Sequence, residues 1–225
     1  MTTAPVPGAA NSQLVAGPVG NIEVIIDTPS TPRGIALVTH PHPLFGGANT
    51  NKVAYTLARA LRDLGYVALR PNFRGVGKTA GEHDNGKGET EDMLAVLAWA
   101  KQHWPELASQ PVLLAGFSFG AYVQTRVALR LVEAGQPARR LILVGTAAGH
   151  VEGARQYDTG AVAADTLVIH GSKDETVPLQ NVLAWAEPLE LPVVVVAGAD
   201  HFFHGRLQNI RDIINRAMRN EEQAA

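Results

Sequence analysis

The stretch Leu113-Leu114-Ala115-Gly116-Phe117-Ser118-Phe119-Gly120 joins a short apolar run to a serine flanked by glycines. The run has the length and composition of a buried strand, and Val123, Val127 and Leu131 recur behind it at helical spacing until Gly135 stops the pattern. Gly116 and Gly120 bracket Ser118 in a G-x-S-x-G pattern, the layout of a nucleophile elbow. A serine there sits on a strained turn between strand and helix, and a side chain at either glycine would collide with neighbouring backbone.

Outward from this stretch the chain alternates strand and helix. Towards the N-terminus, residues 1–11 read as a flexible tail, and residues 12–225 as a single α/β domain. Residues 13–16 and 21–27 alternate around Gly17-Pro18-Val19-Gly20, which predicts an antiparallel hairpin at a sheet edge. Gly34–Thr39 is continuously apolar, as a strand buried on both faces must be. Val53, Leu57, Leu61 and Leu64 then predict a helix ended by Gly65, and residues 66–69 a further strand. Met93, Leu97, Ala100 and Trp104 mark a second helix stopped by Pro105. Beyond the elbow helix, residues 141–144, 166–169 and 193–197 read as strands and 179–187 as a helix, and Leu207, Ile210, Ile214 and Ala217 predict the inward stripe of a last helix. Buried strands alternating with amphipathic helices imply parallel pairing with helices on both faces. The expected architecture is a doubly wound, mostly parallel sheet.

Composition narrows the function classes. The chain has 225 residues, 46% hydrophobic and 18% charged, with a formal net charge of -2, so no electrostatic feature points to nucleic acid. It has no cysteine, which removes disulfides, thiolate metal sites and a cysteine nucleophile. Neither a secretory leader nor a membrane-spanning apolar run is present in the sequence, and a cytoplasmic protein is expected.

In an open α/β sheet the reactive groups collect past the carboxyl ends of the strands. Four such ends carry polar chemistry here: His40-Pro41-His42-Pro43-Leu44-Phe45-Gly46-Gly47, Ser118, His170-Gly171-Ser172-Lys173-Asp174, and Gly198-Ala199-Asp200-His201. A serine hydroxyl is a poor nucleophile at neutral pH; it needs a base within reach, and the base needs an acceptor that fixes its tautomer. Ser118, Asp174 and His201 supply nucleophile, acid and histidine in that chain order. Asp200 is the rival acid, but a residue adjacent to His201 usually points elsewhere.

This order, with each member at a strand end, resembles the α/β-hydrolases. Gly171-Ser172-Lys173-Asp174-Glu175-Thr176-Val177-Pro178 is similar to the acid loop of that superfamily, and Ala199-Asp200-His201-Phe202-Phe203 to its histidine loop. The His40–Gly47 loop is similar to that of a group of small bacterial serine hydrolases. The resemblance runs from about Gly34 to His204. It implies an α/β-hydrolase fold without a cap domain, because only a short glycine- and alanine-rich segment separates Gly145 from Asp165. The site is therefore expected to be open and shallow.

The resemblance also implies a serine hydrolase of carboxylic esters acting through an acyl-enzyme on Ser118, with thioesters or lactones as alternatives and no cofactor or metal. A tetrahedral intermediate needs two fixed N–H donors. Phe119, after the nucleophile, supplies one. Many relatives carry His-Gly where this chain has His40-Pro41, and proline has no N–H, so the second donor falls to His42, with Leu44 as second choice. Phe45, Phe202 and Phe203 adjoin these residues and are candidates for a substrate pocket. The expected partner is a small, short-acyl ester, with no nucleic acid and no membrane.

Three other readings are weaker. His40-x-His42 with His201 and His204 resembles the opening of an amidohydrolase metal site, but such barrels need a longer chain and carboxylate-rich strand ends. Gly75-Val76-Gly77-Lys78-Thr79 resembles the end of a phosphate-binding loop, yet Asn72 stands where its first glycine belongs, and Arg74 reads as structural. A catalytically silent hydrolase-fold binding module would not be expected to retain all three chemical groups.

Overall fold

The computed structural model describes residues 11–151 and 155–224. The expected N-terminal tail lies outside them, apart from Asn11, which opens the first strand.

An eight-stranded sheet carries the fold, in the order β1-β2-β4-β3-β5-β6-β9-β10. β1 (Asn11–Gly17) and β2 (Gly20–Asp27) form the predicted edge hairpin, and β2 pairs antiparallel with β4 (Tyr66–Pro71). From β4 onward every neighbour is parallel: β3 (Gly34–Thr39), β5 (Leu113–Phe117), β6 (Arg140–Val144), β9 (Leu167–Gly171) and β10 (Val193–Val196). β3, β4, β5 and β9 are buried along their whole length, which is why β3 reads as an unbroken apolar run, while β4 and β9 also bury Arg70 and His170.

Helices cover both faces. On one, α1 (Lys52–Asp63) and α5 (Leu207–Ala224) pack together, with Leu57, Leu61, Ile210, Ile214 and Met218 meeting the underside of the sheet. The inward stripe of α5 is Ile210, Ile214 and Met218; Ala217 and Leu207 lie at its margin, half-buried. On the other face α2 (Lys87–His103), α3 (Phe119–Glu133) and α4 (Leu179–Ala186) bury Met93, Leu97, Val123, Val127 and Val182. Asn51 caps α1, its Oδ1 accepting from the N–H groups of Val53 (2.9 Å) and Ala54 (3.3 Å).

One element departs from the sequence reading. Between β6 and β9 the chain forms a short antiparallel pair, β7 (Gly149–Val151) and β8 (Arg155–Tyr157), where periodicity gave no signal. Three-residue strands are too short to show a period of two. The pair is anchored by Thr159, whose hydroxyl donates to the Ala147 carbonyl (2.7 Å), and by Asn181, whose amide donates to the carbonyls of Ala148 and His150.

Candidate active site

The turn at Ser118 is strained, and its neighbours explain why it stays so. Ser118 has φ 58° and ψ −120°, a conformation that non-glycine residues rarely adopt. Its N–H donates to the Val144 carbonyl at 2.9 Å, so the turn is held by the adjacent strand. A Cβ at Gly116 would lie 2.5 Å from the Gly120 carbonyl oxygen, and one at Gly120 would lie 2.4 Å from that of His40. The two glycines let the start of α3 press against the ends of β3 and β5, and this close approach lifts Ser118 above the sheet.

Three strand ends then converge. The Ser118 Oγ is 3.0 Å from Nε2 of His201, and Nδ1 of His201 is 2.7 Å from Oδ2 of Asp174. All three residues are buried. Asp174 uses its other oxygen to accept the Val177 N–H at 2.7 Å, which fixes the carboxylate plane. A carboxylate accepts only, so Nδ1 of His201 carries the proton and Nε2 presents a lone pair to the serine hydroxyl. Phe117 packs beneath the imidazole, ring centroids 4.9 Å apart. Asp200 is turned away onto His204, whose Nδ1 lies 2.7 Å from its carboxylate. This bond, reinforced by the His204 N–H, holds the Asp200 carboxyl below its ordinary value. His170 spans from β9 to the acid loop, its Nε2 donating to the Val177 carbonyl at 2.9 Å.

The His-Pro loop is compact. The His42 carbonyl accepts from both Phe45 (3.2 Å) and Gly47 (3.1 Å). A Cβ at Gly47 would overlap the Pro41 carbonyl, so the loop closes only with glycine there. The Leu44 N–H donates to Nδ1 of the His42 ring at 3.3 Å, which occupies the second-choice oxyanion donor. Among the described residues the His42 N–H has no protein acceptor, and Phe119, first residue of α3, has no intrahelical one. His40 is wholly buried and structural: Nδ1 donates to the Pro41 carbonyl (2.7 Å), and Nε2 accepts from the Phe73 N–H (2.9 Å). Both its nitrogens are thus committed to the protein, which does not fit a metal ligand. Burial lowers its pKa to about 4. His42 is likewise lowered to about 4, by burial first and then by the nearby His83 and Arg155.

The three candidate pocket phenylalanines part company. Phe202 is 45% exposed and meets the His201 ring edge-on at 5.1 Å, and Phe45 is exposed at the mouth of the site. Phe203 is wholly buried in the core under α5, so it lines no pocket. Its backbone is left-handed (φ 53°), a conformation that non-glycine residues rarely adopt.

Sequence reasoning named His42 and Phe119 but missed the residues that gather around them. The rings of His42, His83 and Phe119 cluster with centroids 4.6–5.2 Å apart. The buried Glu89 carboxylate stands 2.8 Å from Nδ1 of His83. Tyr157 of β8 joins the cluster 6.2 Å from Phe119, and the Arg155 guanidinium lies 4.3 Å over the Phe45 ring. These residues come from separate loops, helices and a strand, and no spacing in the sequence links them. Arg74, read as structural, grips Asp92 at 2.7 Å and ties the long polar loop to α2.

A mostly parallel sheet flanked by helices, with a serine on a strand–helix elbow facing a histidine, is the architecture of the α/β hydrolases. The thioesterase-domain family model matches residues 55–201. An uncharacterised protein of Rickettsia prowazekii is 33% identical over 210 residues, covering 88% of this chain and 84% of that one. An α/β serine hydrolase homologue from Coxiella burnetii is 41% identical with a TM-score of 0.80, covering 95% of this chain and 99% of that one. An α/β serine hydrolase without a lid from Xanthomonas campestris is 35% identical with a TM-score of 0.81, covering 97% of each chain. The chain therefore belongs to the thioesterase-domain family of the α/β-hydrolase superfamily. No helix among the described residues is long and apolar enough to cross a membrane.

Proposed function

We propose that this chain hydrolyses small carboxylic esters by two-step acyl transfer on Ser118. The observation that carries the reading is the chain of contacts from Ser118 Oγ to His201 Nε2 (3.0 Å) and from His201 Nδ1 to Asp174 Oδ2 (2.7 Å). Ser118 attacks the carbonyl carbon as His201 takes its proton, and the carbonyl π electrons move onto oxygen. The oxyanion is held by the N–H groups of Phe119 and His42. His201 then passes the proton to the leaving oxygen as the C–O bond breaks. Water, deprotonated by the same imidazole, releases the acid and regenerates Ser118. Asp174 keeps the imidazole in the productive tautomer and stabilises the imidazolium.

The packed rings of His42, Phe119 and Tyr157, 4.9 Å and 6.2 Å apart, support a bounded acyl side next to the nucleophile, and so short acyl groups. The family match favours a second reading, acyl thioesters on the same three residues. Sulfur would replace the leaving oxygen with no change in any protein role.

Labelling with a fluorophosphonate and hydrolysis of p-nitrophenyl acetate test the reading. Wild-type protein is expected to be labelled at Ser118, and Ser118→Ala and His201→Ala to lose most turnover. Near-wild-type rates in either variant would remove the assignment. Absence of labelling in folded protein would return the chain to a binding module. Parallel kcat/KM values for an acetate ester, an acetyl thioester and a lactone decide between substrate classes.

A further inference from the structure

A groove of about 440 Å³ runs between the start of α1 and the histidine loop, lined by Val53, Phe202, Gly205 and Leu207, with Asn51, Lys52 and His204 along it. Its size falls within the range of small-molecule sites. Most of its polar neighbours are turned to other work: the Asn51 amide oxygen caps α1, and His204 is held by Asp200. What remains facing the groove is chiefly apolar surface. Phe202, 45% exposed, forms the wall nearest the site, and its ring touches that of His201. With Val53 and Leu207 the ring makes one continuous apolar surface beside the imidazole.

Proton transfer says which part of a substrate lies here. His201 must deliver the proton it took from Ser118 to the departing oxygen, so that oxygen stands beside Nε2 and its substituent extends along the histidine loop. The acyl substituent takes the remaining direction, towards the wall of Phe119, His42 and Tyr157. Resting on the ester-hydrolase reading above, we propose that the groove past Phe202 is the leaving-group site, built for an unbranched apolar alcohol of about four to six carbons. The enzyme then selects its substrates by their alcohol part. By microscopic reversibility the same groove admits such an alcohol to the acyl-enzyme, where it blocks the position needed by water or takes the acyl group itself.

The experiment compares methyl, butyl and hexyl acetate, whose leaving groups have similar basicity and which all form the same acetyl-enzyme. Burial of each added methylene predicts a rise in kcat/KM of about two- to fourfold, whereas kcat converges on the common deacylation rate. Lengthening the acid instead, from methyl acetate to methyl hexanoate, is expected to bring no such gain. Leu207→Trp, which fills the groove, is expected to reduce the hexyl-to-methyl ratio of kcat/KM at least tenfold. In wild-type enzyme, hexan-1-ol is expected to slow acetate release, with a part of the inhibition that raising the ester concentration does not relieve, at concentrations where methanol has no effect; this needs no variant. A flat alcohol series, a gain that survives a folded Leu207→Trp, or equal inhibition by the two alcohols would overturn the proposal. If Ser118 is labelled and acetate esters are cleaved while the series is flat, only the groove assignment falls. If Ser118 is not labelled, the hydrolase reading falls with it.

Discussion

Replacing Asp174 by asparagine isolates what the carboxylate does, because the side chain keeps its shape and loses its charge. In the native site Oδ1 accepts the Val177 N–H at 2.7 Å and Oδ2 accepts Nδ1–H of His201 at 2.7 Å. An asparagine has one acceptor oxygen for these two donors. If the oxygen stays on Val177, the amide NH₂ faces His201 and drives its proton onto Nε2, which then cannot accept from Ser118. If the amide flips, the NH₂ opposes the buried Val177 N–H, leaving a donor unsatisfied at a cost of about 1–3 kcal/mol. The flipped, productive form is therefore a minority of roughly one in five to one in 150. Loss of the charge that stabilises imidazolium acts on top of this. Together the expected fall in turnover is about 10⁴-fold, near 5.5 kcal/mol, as other triads show for this exchange. The assay is kcat on p-nitrophenyl acetate with the melting temperature measured alongside. A folded Asp174→Asn protein within tenfold of wild type would refute the claim that Asp174 sets the His201 tautomer.

Gly120→Ala would force a methyl group to 2.4 Å from the His40 carbonyl; the expected destabilisation is about 1–3 kcal/mol, read as a melting temperature lower by about 2–12 °C. An unchanged melting temperature would mean that α3 shifts freely. His42→Ala removes the ring that accepts the Leu44 N–H but keeps the backbone donor, so kcat/KM should fall less than about tenfold. A loss beyond about 10²-fold would assign the imidazole itself a chemical role. His40, lowered from 6.5 to about 4 by burial, stays neutral in the folded protein while the unfolded chain takes up a proton below pH 6.5. Its contribution is therefore present above pH 6.5 and is lost as pH falls towards 4, by about 3 kcal/mol in all. Urea unfolding at pH 7.5 and 4.5 should show a smaller pH dependence in His40→Asn than in wild type, and equal dependence would refute this.

The sheet and the three side chains that meet at its edge were legible in the sequence because each leaves a local trace. A strand buried on both faces must be apolar throughout, as Gly34–Thr39 is. An elbow that presses helix against sheet must carry glycine at both flanks of Ser118, since any Cβ would meet backbone within 2.6 Å. Asp174 and His201 were placed by lying past strand ends, which the doubly wound topology gathers on one edge. The second oxyanion candidate was narrowed by proline chemistry, and the tertiary structure added that the Leu44 amide is already engaged.

What the sequence determined by itself is thus the alternation of elements and the three groups that face one another. The tertiary structure alone decided the walls of the site. Phe202 and Phe203 are neighbours of equal apolarity, and only the path of the histidine loop over the sheet puts one beside His201 and the other in the core. The meeting of His83, His42 and Phe119, with Tyr157 packed against Phe119, and the groove between Val53 and Leu207, join segments far apart in the chain. Periodicity reports which face of an element is buried, but contacts between loops depend on how their backbones fold over the sheet's edge, and no local pattern encodes that.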